Sequence, residues 1–255
     1  MTWEHEVVAL NTATESTNRM HDDSVAATYG FRGGLVPGVD VWAYLIRPCV
    51  DRWGPEFLER GALEARFAAP VYDGERVVAR LDDDGTLACT GDDGSVRATG
   101  RASLPDDVPP VRTLPSAERP DPVPPATAEL LAPGTVLGTL RFRHRADPTY
   151  LADVRDDSPL YAGGAIAHPG LLARQANHVL AASVRLGPWI HVSTRARHRG
   201  QVRDGDEVEV RGVVRDEREH KGHRFVDLDV EITANGRPVW SAAHTAIWQP
   251  RRERS

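Results

Sequence analysis

A histidine within a short polar segment is the residue of this sequence best suited to acid–base chemistry. It is His21, in the run Asn18–Asp23 (NRMHDD), and a glycine-rich run from Gly30 to Gly38 follows it. An apolar segment begins directly after Gly38, which predicts a turn that enters a helix. This order places an imidazole near a helix N-terminus, whose free backbone N–H groups can stabilise a developing negative charge.

A row of arginines is a second candidate for binding chemistry. Arg195, Arg197 and Arg199 alternate along one predicted strand, so their side chains share one face of a sheet. Guanidinium groups bind phosphate well, so this row could hold a ligand that carries phosphate. We therefore take Arg195 and Arg197 as candidate substrate-binding residues. The alternative is a solvated sheet face with salt bridges to the many acidic residues.

Metal and nucleotide sites are not expected. His220 and His223 flank a predicted hairpin turn without a third ligand nearby in sequence, so we expect them to be exposed and to bind no metal. The sequence contains no Cys-x-x-Cys pair, phosphate-binding loop or dinucleotide fingerprint, and we expect no cofactor.

A regular series of elements surrounds His21 in the first part of the chain. The patterns predict a strand over 3–10, a short helix from Asp22 or Asp23 to Ala27, and a helix over 39–53 that Pro48 should kink or shorten. Four strands are predicted next, at Ala62–Phe67, Arg76–Leu81, Thr86–Thr90 and Ser95–Leu104, with turn signals between them.

A proline-rich stretch separates this series from a second one. Nine of the 19 prolines fall between Pro105 and Gly134, which predicts an extended, semi-rigid linker. After it the patterns predict a strand, a helix and four further strands: 136–144, 171–186, 190–198, 207–214, 224–233 and 238–248, with a hairpin turn at Asn235–Gly236. We therefore divide the chain into 1–105, the linker 106–134, and 135–255.

The two series are copies of one pattern. A shift of 132 residues relates Tyr29, Pro37 and Gly38 to Tyr161, Pro169 and Gly170, and a shift of 131 relates Arg66, Val71, Asp73, Gly74 and Val77 to Arg197, Val202, Asp204, Gly205 and Val208. Such a repeat indicates an internal duplication. One long helix per antiparallel sheet predicts an α+β fold in which each sheet wraps its helix, and pairing the two sheets edge to edge removes an exposed edge from each.

Composition limits the function classes. The chain has 255 residues, 40% of them hydrophobic, and a net charge of −6, which argues against a nucleic-acid-binding protein. No apolar run approaches the roughly 20 residues that span a bilayer, and the N-terminus lacks a signal-peptide core. Cys49 and Cys89 are expected to be buried and reduced, which favours a cytoplasmic location.

The segment around His21 resembles the MaoC-like group, which includes the (R)-specific enoyl-CoA hydratases (hydratase 2). That family's motif is approximately Gly-Asp-x-Asn-Pro-Ile/Leu-His-x-Asp, followed by a Val-His-Gly turn into a long helix. Asn18, His21 and Asp23 match the Asn, His and Asp positions, and Val36-Pro37-Gly38 matches the turn with proline in place of histidine. The resemblance implies a double hotdog fold, in which two antiparallel sheets each wrap one long helix.

The resemblance also implies roles for individual residues. His21 would be the acid/base, Asn18 would orient water or the loop, and the Gly38 N–H, with Val36 in the same turn, would bind the thioester carbonyl. The family's catalytic aspartate position holds Ser16. Asp40, in the first turn of the predicted helix, is a candidate substitute for that acid, and Ser16 itself could position a water.

The second copy lacks the histidine, since the position equivalent to His21 falls near Asp153. His168-Pro-Gly is either a second carbonyl-binding turn or a structural remnant. The polar residues Gln175, Asn177 and His178 of the second helix either line a tunnel for a polar acyl group or face water. We therefore expect one active site per chain.

These observations predict a hydratase or dehydratase that acts on an enoyl or 3-hydroxyacyl thioester of CoA or a carrier protein, without nucleic acid or membrane partners. A homodimer of such double hotdog chains is compatible with this interpretation. Three alternatives stay open: a thioesterase that uses Asp40, a non-catalytic substrate-binding subunit of a hotdog dehydratase, and a specialised biosynthetic elimination with an altered catalytic pair.

Overall fold

The described part of the chain forms one antiparallel sheet of ten strands around two long helices. The computed structural model describes residues 1–111 and 113–251; Arg112 and residues 252–255, which belong to the predicted linker and second region, lie outside the described residues. The strands are β1 Thr2–Val8, β2 Ala62–Phe67, β3 Arg76–Asp82, β4 Thr86–Gly91, β5 Val96–Ser103, β6 Leu140–Arg143, β7 Ile190–His198, β8 Glu207–His220, β9 His223–Ala234 and β10 Arg237–Gln249.

The sheet consists of the two copies joined edge to edge. The strand order is β1-β3-β4-β5-β2-β7-β10-β9-β8-β6, and the junction is the antiparallel pair β2–β7, in which Ala62 lies opposite Arg197. Each copy thereby covers one edge that would otherwise be exposed. The edge-to-edge pairing predicted from the duplication is confirmed.

Two long helices lie side by side on the inner face of this sheet. They are α2, Gly38–Trp53, and α5, Pro169–Ala181, which contact each other; the short helices are α1 Asp23–Ala27, α3 Glu56–Arg60 and α4 Pro148–Asp153. The strands alternate as a half-buried sheet requires: in β3, for example, Val77, Ala79 and Leu81 are buried. The apolar core therefore lies between the inner sheet face and the two helices.

Several element bounds differ from the sequence prediction. Pro48 lies inside α2 without ending it, and the helix runs on to Trp53. Helix α5 begins two residues early, at Pro169, because proline is favoured at the first helical position. The strand predicted over 136–144 is only β6, since the preceding residues form isolated bridges, one of them between Gly138 and Ala117 of the linker.

The linker packs on the outer face of the second copy. The Leu114 N–H donates to a Glu231 carboxylate oxygen at 2.9 Å, and the Leu114 carbonyl accepts from the Arg211 guanidinium at 2.8 Å. Farther along, the Ala126 N–H donates to the Arg185 carbonyl at 3.0 Å. Hydrogen bonds therefore attach parts of the proline-rich segment to the second half.

Cys49 and Cys89 are both buried and free, as predicted. Within residues 1–111 and 113–251, none of the helices combines the length and the apolar character that crossing a membrane requires.

Candidate active site

His21 is held by the backbone of the turn that precedes α2. It ends a 3-10 turn, Arg19–His21, and its Nδ1 lies 2.6 Å from the Leu35 carbonyl oxygen. A carbonyl oxygen can only accept, so Nδ1 carries the proton and donates it. The Nε2 atom is therefore left with a lone pair, as a base requires.

The Asn18 side chain fixes the same tautomer from the other side of the ring. Its Oδ1 accepts the N–H groups of Met20 at 3.2 Å and Trp189 at 3.1 Å, which sets the orientation of the amide. Its Nδ2 then donates to the Trp189 carbonyl at 3.0 Å and to His21 Nε2 at 3.2 Å. Asn18 thus joins the His21 turn to the start of β7 in the second copy.

The environment keeps His21 neutral. Burial lowers the pKa of His21 below its usual value of 6.5, and the hydrogen bond to the Leu35 carbonyl opposes this only in part. A neutral imidazole with its lone pair on Nε2 is the form that can remove a proton near pH 7, and the Asn18 N–H bonded to this lone pair must then give way to the substrate.

Gly38 begins α2 with an available N–H group. Pro37, the residue before it, provides no side-chain cap, and no acceptor within the described chain is bonded to the Gly38 N–H. The positive end of the helix dipole reinforces this donor. A side chain would not fit here, because a Cβ on Gly38 would lie 2.8 Å from Nδ1 of His191.

His21 and Gly38 border the same small cavity. Its volume is about 190 Å³, somewhat larger than a cavity of about 150 Å³ that holds benzene. Most of the wall is apolar, with Met20, Phe31, Val41, Phe67, Trp189 and Ile190 among its side chains. The polar side chains in the wall are Asn18, His21, Asn177 and His191. The cavity suits a short, largely apolar acyl group beside one base and one backbone donor.

Val36 and Ser16 take different positions around this cavity. Val36 contributes to the wall, and its N–H donates to the Val71 carbonyl at 2.9 Å, which fixes the turn. Ser16 does not reach the wall; its Oγ accepts the Asn18 N–H at 3.1 Å. Ser16 therefore supports Asn18 from outside the cavity.

The structure does not bring Asp40 together with His21. The Asp40 carboxylate is fully buried between the two long helices, where Thr12 donates to it at 2.6 Å and Arg174 of α5 at 2.7 Å. It is absent from the cavity wall. The first-turn position of Asp40 was inferred correctly from the sequence, but its side chain turns towards the partner helix, because Arg174 lies there.

Arg195 and Arg197 lie on the opposite side of the sheet from the cavity. A β-bulge between His191 and Ser193 interrupts the alternation of β7, so His191 and Thr194 both face the helices while Arg195 and Arg197 face outward. The arginines line a separate groove of about 1060 Å³ beneath the linker, and Arg199 donates to the Pro109 carbonyl of that linker. The structure therefore separates these arginines from His21 by the thickness of the sheet.

The equivalent turn of the second copy is closed. His168 Nδ1 accepts the Gly170 N–H at 3.0 Å, so the donor equivalent to the Gly38 N–H is already bonded. His168 Nε2 then donates to Asp156 at 3.0 Å. The rings of Tyr150 and Tyr161 pack on this imidazole with centroid distances of 5.6 and 4.6 Å. Of the two interpretations of His168-Pro-Gly, a structural role fits these contacts.

The three polar residues of α5 lie in three different surroundings. Asn177 lines the His21 cavity, and its Oδ1 is buried without a partner among the described residues. Gln175 lines a different pocket, beside His144 of the second copy, and His178 is exposed.

His191 is the one polar side chain of the wall that the sequence analysis missed. It stands at an inward position near the start of β7, in Trp-Ile-His-Val, and this segment has only the pattern of an ordinary strand. Its distance from His21 in sequence left no signal that the two share a site.

Comparisons with known proteins support the fold. No protein-family model matches the chain, and no curated protein matches it in sequence. A solved structure described as a MaoC-like dehydratase is 13% identical over 96% of this chain and 97% of its own, with a TM-score of 0.61. A conserved hypothetical protein from Mycobacterium tuberculosis with a double hotdog fold is also 13% identical, over 97% and 95%, with a TM-score of 0.60.

Hotdog enzymes of another class are similar as well. An acyl-CoA thioesterase II from Mycobacterium marinum is 17% identical over 85% of this chain and 89% of its own, with a TM-score of 0.54. At these identities the similarity concerns the fold and leaves the reaction undetermined. The chain is an α+β protein with the double hotdog fold, the fold that the MaoC-like dehydratases share.

Proposed function

We propose that this protein is a hydro-lyase that interconverts a short 3-hydroxyacyl thioester and the corresponding 2-enoyl thioester. His21 is the acid/base, and the Gly38 N–H binds the thioester carbonyl. The observation that carries the proposal is that a neutral His21 with a defined Nε2 lone pair and the N-terminus of α2 border one small apolar cavity.

Dehydration begins with removal of a proton from C2. His21 Nε2 takes this proton, and the electron pair of the C–H bond moves towards the carbonyl, whose oxygen becomes more negative. The Gly38 N–H and the α2 dipole stabilise that charge. The imidazolium of His21 then gives a proton to the 3-hydroxyl group, which leaves as water while the C2–C3 double bond forms. Hydration is the reverse sequence.

One histidine therefore acts twice in this scheme. Within the described residues, the cavity wall contains no carboxylate: Asp40 is bonded to Arg174 and Thr12, and Ser16 lies outside the wall. A single base that removes one proton and returns it to the leaving group requires that the C2 proton and the 3-hydroxyl lie on the same face of the substrate. The scheme thus predicts a syn elimination.

The test offers purified protein short 2-enoyl and 3-hydroxyacyl thioesters of CoA, and of a carrier protein, and follows the conjugated double bond and free thiol together. We expect the absorbance of the enoyl thioester to change without release of thiol. Release of thiol with the enoyl signal intact would instead establish a thioesterase. Binding without turnover, together with copurification of a second hotdog chain, would indicate a substrate-binding subunit.

A further inference from the structure

A buried chain of hydrogen bonds leads from the active-site cavity into the second copy. His191 Nε2 lies 2.7 Å from Thr194 Oγ1, and the same hydroxyl oxygen lies 2.8 Å from His244 Nδ1. The two imidazoles stack with their centroids 4.3 Å apart. The exposed fractions are only 6% for His191 and 1% each for Thr194 and His244.

Each end of this series of hydrogen bonds is an imidazole nitrogen without a partner among the described residues. Among the described residues, neither His191 Nδ1 nor His244 Nε2 has a hydrogen-bond partner. The two nitrogens differ in their surroundings. His191 Nδ1 lies against Gly38, so it stands beside the only backbone donor that we assign to the substrate. His244 Nε2 is enclosed by protein and does not belong to a residue of the cavity wall.

The Thr194 hydroxyl has one proton, so the two hydrogen bonds that join His191, Thr194 and His244 can run in either of two directions. In the first, His244 Nδ1–H donates to Thr194, Thr194 donates to His191 Nε2, and His191 Nδ1 carries a proton. In the second, every bond is reversed, and the unpaired N–H group lies on His244 Nε2. Buried N–H groups without an acceptor are rare and costly. We take the first arrangement, because its unpaired N–H lies beside Gly38 on a residue of the cavity wall, whereas the second leaves it on His244, outside that wall.

Both imidazoles are neutral in either arrangement. Burial, with the neighbouring His244, lowers the pKa of His191 well below its usual value, although a contact with the Ser193 backbone opposes this in part. Burial lowers the pKa of His244 to about 4. A neutral imidazole N–H is a suitable donor to a carbonyl oxygen, since it can stabilise developing charge without itself carrying a charge that must be desolvated.

We propose that His191 is a second hydrogen-bond donor to the thioester carbonyl, acting beside the Gly38 N–H in a tautomer that Thr194 and His244 fix. This inference rests on the proposed function, because it takes a thioester carbonyl to lie at Gly38. It makes His191 a catalytic residue and makes Thr194 and His244 positioning residues. The second copy, which lacks an acid/base of its own, thereby completes the carbonyl-binding site of the first.

The first test measures the tautomer without any ligand. Long-range ¹⁵N–¹H NMR of the full chain distinguishes protonated from unprotonated imidazole nitrogens, and the His191→Asn variant assigns the His191 signals by their loss. We expect a protonated Nδ1 and an unprotonated Nε2 on His191, and a mixed population in Thr194→Val. An unprotonated Nδ1 in the parent protein would overturn the inference.

The second test reports the hydrogen bonds to the carbonyl. Butyryl-CoA labelled with ¹³C at the thioester carbonyl cannot dehydrate, and its carbonyl stretch falls in frequency when the oxygen accepts a hydrogen bond. We expect a downshift on binding that is reduced in His191→Phe and Thr194→Val and retained in His191→Asn, because the asparagine amide N–H can take the place of Nδ1–H. His198→Phe is the matched control, since His198 lies on the same strand and is buried outside the cavity.

Activity separates this inference from the proposed function. His191→Phe should lower kcat by about 10²-fold with little change in KM, as expected for loss of one oxyanion donor. Turnover by the parent protein with an unchanged carbonyl frequency and kcat in His191→Phe would overturn the inference and leave the function intact. A His191-dependent downshift without hydration or dehydration would support the carbonyl site and refute the lyase. Failure of butyryl-CoA to bind, together with no turnover of CoA or carrier-protein thioesters, would refute both.

Discussion

The two Pro-Gly turns of this chain begin the two central helices in similar ways, yet only the first has a free donor. At Gly38 the N–H is available, a cavity lies in front of it, and His21 borders that cavity. At Gly170 the N–H is bonded to His168 Nδ1, and the buried rings of Tyr150 and Tyr161 pack on that histidine.

The difference shows that one side chain of the turn, His168, is enough to occupy the glycine N–H of the second copy. A helix N-terminus must have its first N–H groups satisfied by something. In the first copy the Gly38 N–H is left for an acceptor on a ligand. In the second copy the side chain of His168, in the turn itself, is the acceptor for the Gly170 N–H. We infer that the turn at Gly38 serves catalysis and that the turn at Gly170 serves stability. Substitutions at the two turns should therefore affect different properties.

The largest effect is expected for the acid/base. His21→Ala should lower kcat/KM by about 10²–10⁴ while the free energy of unfolding changes little, because His21 borders a cavity. His168→Ala, the comparable change at the second turn, should preserve the activity of the folded fraction and lower stability. Activity of His21→Ala within a few-fold of the parent would refute the assignment of the first turn.

The largest effect on stability is expected at the second turn. Asp156 accepts from His168 and, at 3.2 Å, from Arg47 of α2. Asp156→Ala leaves both groups without their buried partner and should lower the free energy of unfolding by about 3–5 kcal/mol, measured by urea denaturation. Asp157→Ala is the control, since its side chain is 89% exposed and also contacts Arg47; it should cost less than about 1 kcal/mol.

The same glycine-to-alanine substitution should lower activity at the first turn and stability at the second. Gly38→Ala places a Cβ against His191 and should reduce kcat by about 10²-fold through displacement of the carbonyl site. Gly170→Ala places a Cβ on the Tyr150 hydroxyl within a filled core and should cost about 1–3 kcal/mol of stability with kcat unchanged. Loss of kcat in Gly170→Ala at unchanged stability would contradict the comparison.

The smallest predicted effect is a shift in pH dependence. His21 acts as a neutral base, so activity is lost as the pH falls through its pKa, which lies below 6.5. The acid limb of kcat/KM should therefore have its midpoint below pH 6.5. Asn18→Asp replaces an amide donor with a carboxylate, favours the imidazolium and should move the midpoint upward by about one unit or more. Glu15→Gln, at an exposed residue three positions before Asn18, should leave the midpoint unchanged; a large loss of activity there would contradict the scheme in which His21 acts alone.

Sequence reasoning predicted the parts of this molecule that depend on local pattern. Period-2 alternation located the strands, the Asn235–Gly236 pair located a hairpin whose two residues both have positive φ, and the 132-residue shift aligned the turns at Gly38 and Gly170. The duplication, together with the need to cover sheet edges, predicted the continuous sheet.

The parts that failed depend on contacts between distant segments. The direction of the Asp40 side chain is set by Arg174, 134 residues away, and the helix-start signal around Asp40 gives no information about it. His191 enters the site because β7 pairs with β2, and nothing in the local sequence distinguishes it from a buried core histidine. Arg195 and Arg197 were correctly placed on one face, but alternation does not specify which face borders the cavity.

The pairing of Asn18 with Trp189 also has a consequence for synthesis of the chain. The two residues are 171 positions apart, and the cavity wall includes Trp189, Ile190 and His191. A ribosome-bound fragment that holds only the first copy would contain His21 and Gly38 but would lack this wall. During translation the site therefore forms late, after β7 has emerged and joined the sheet, so activity reports assembly of the two copies and not the folding of the first alone.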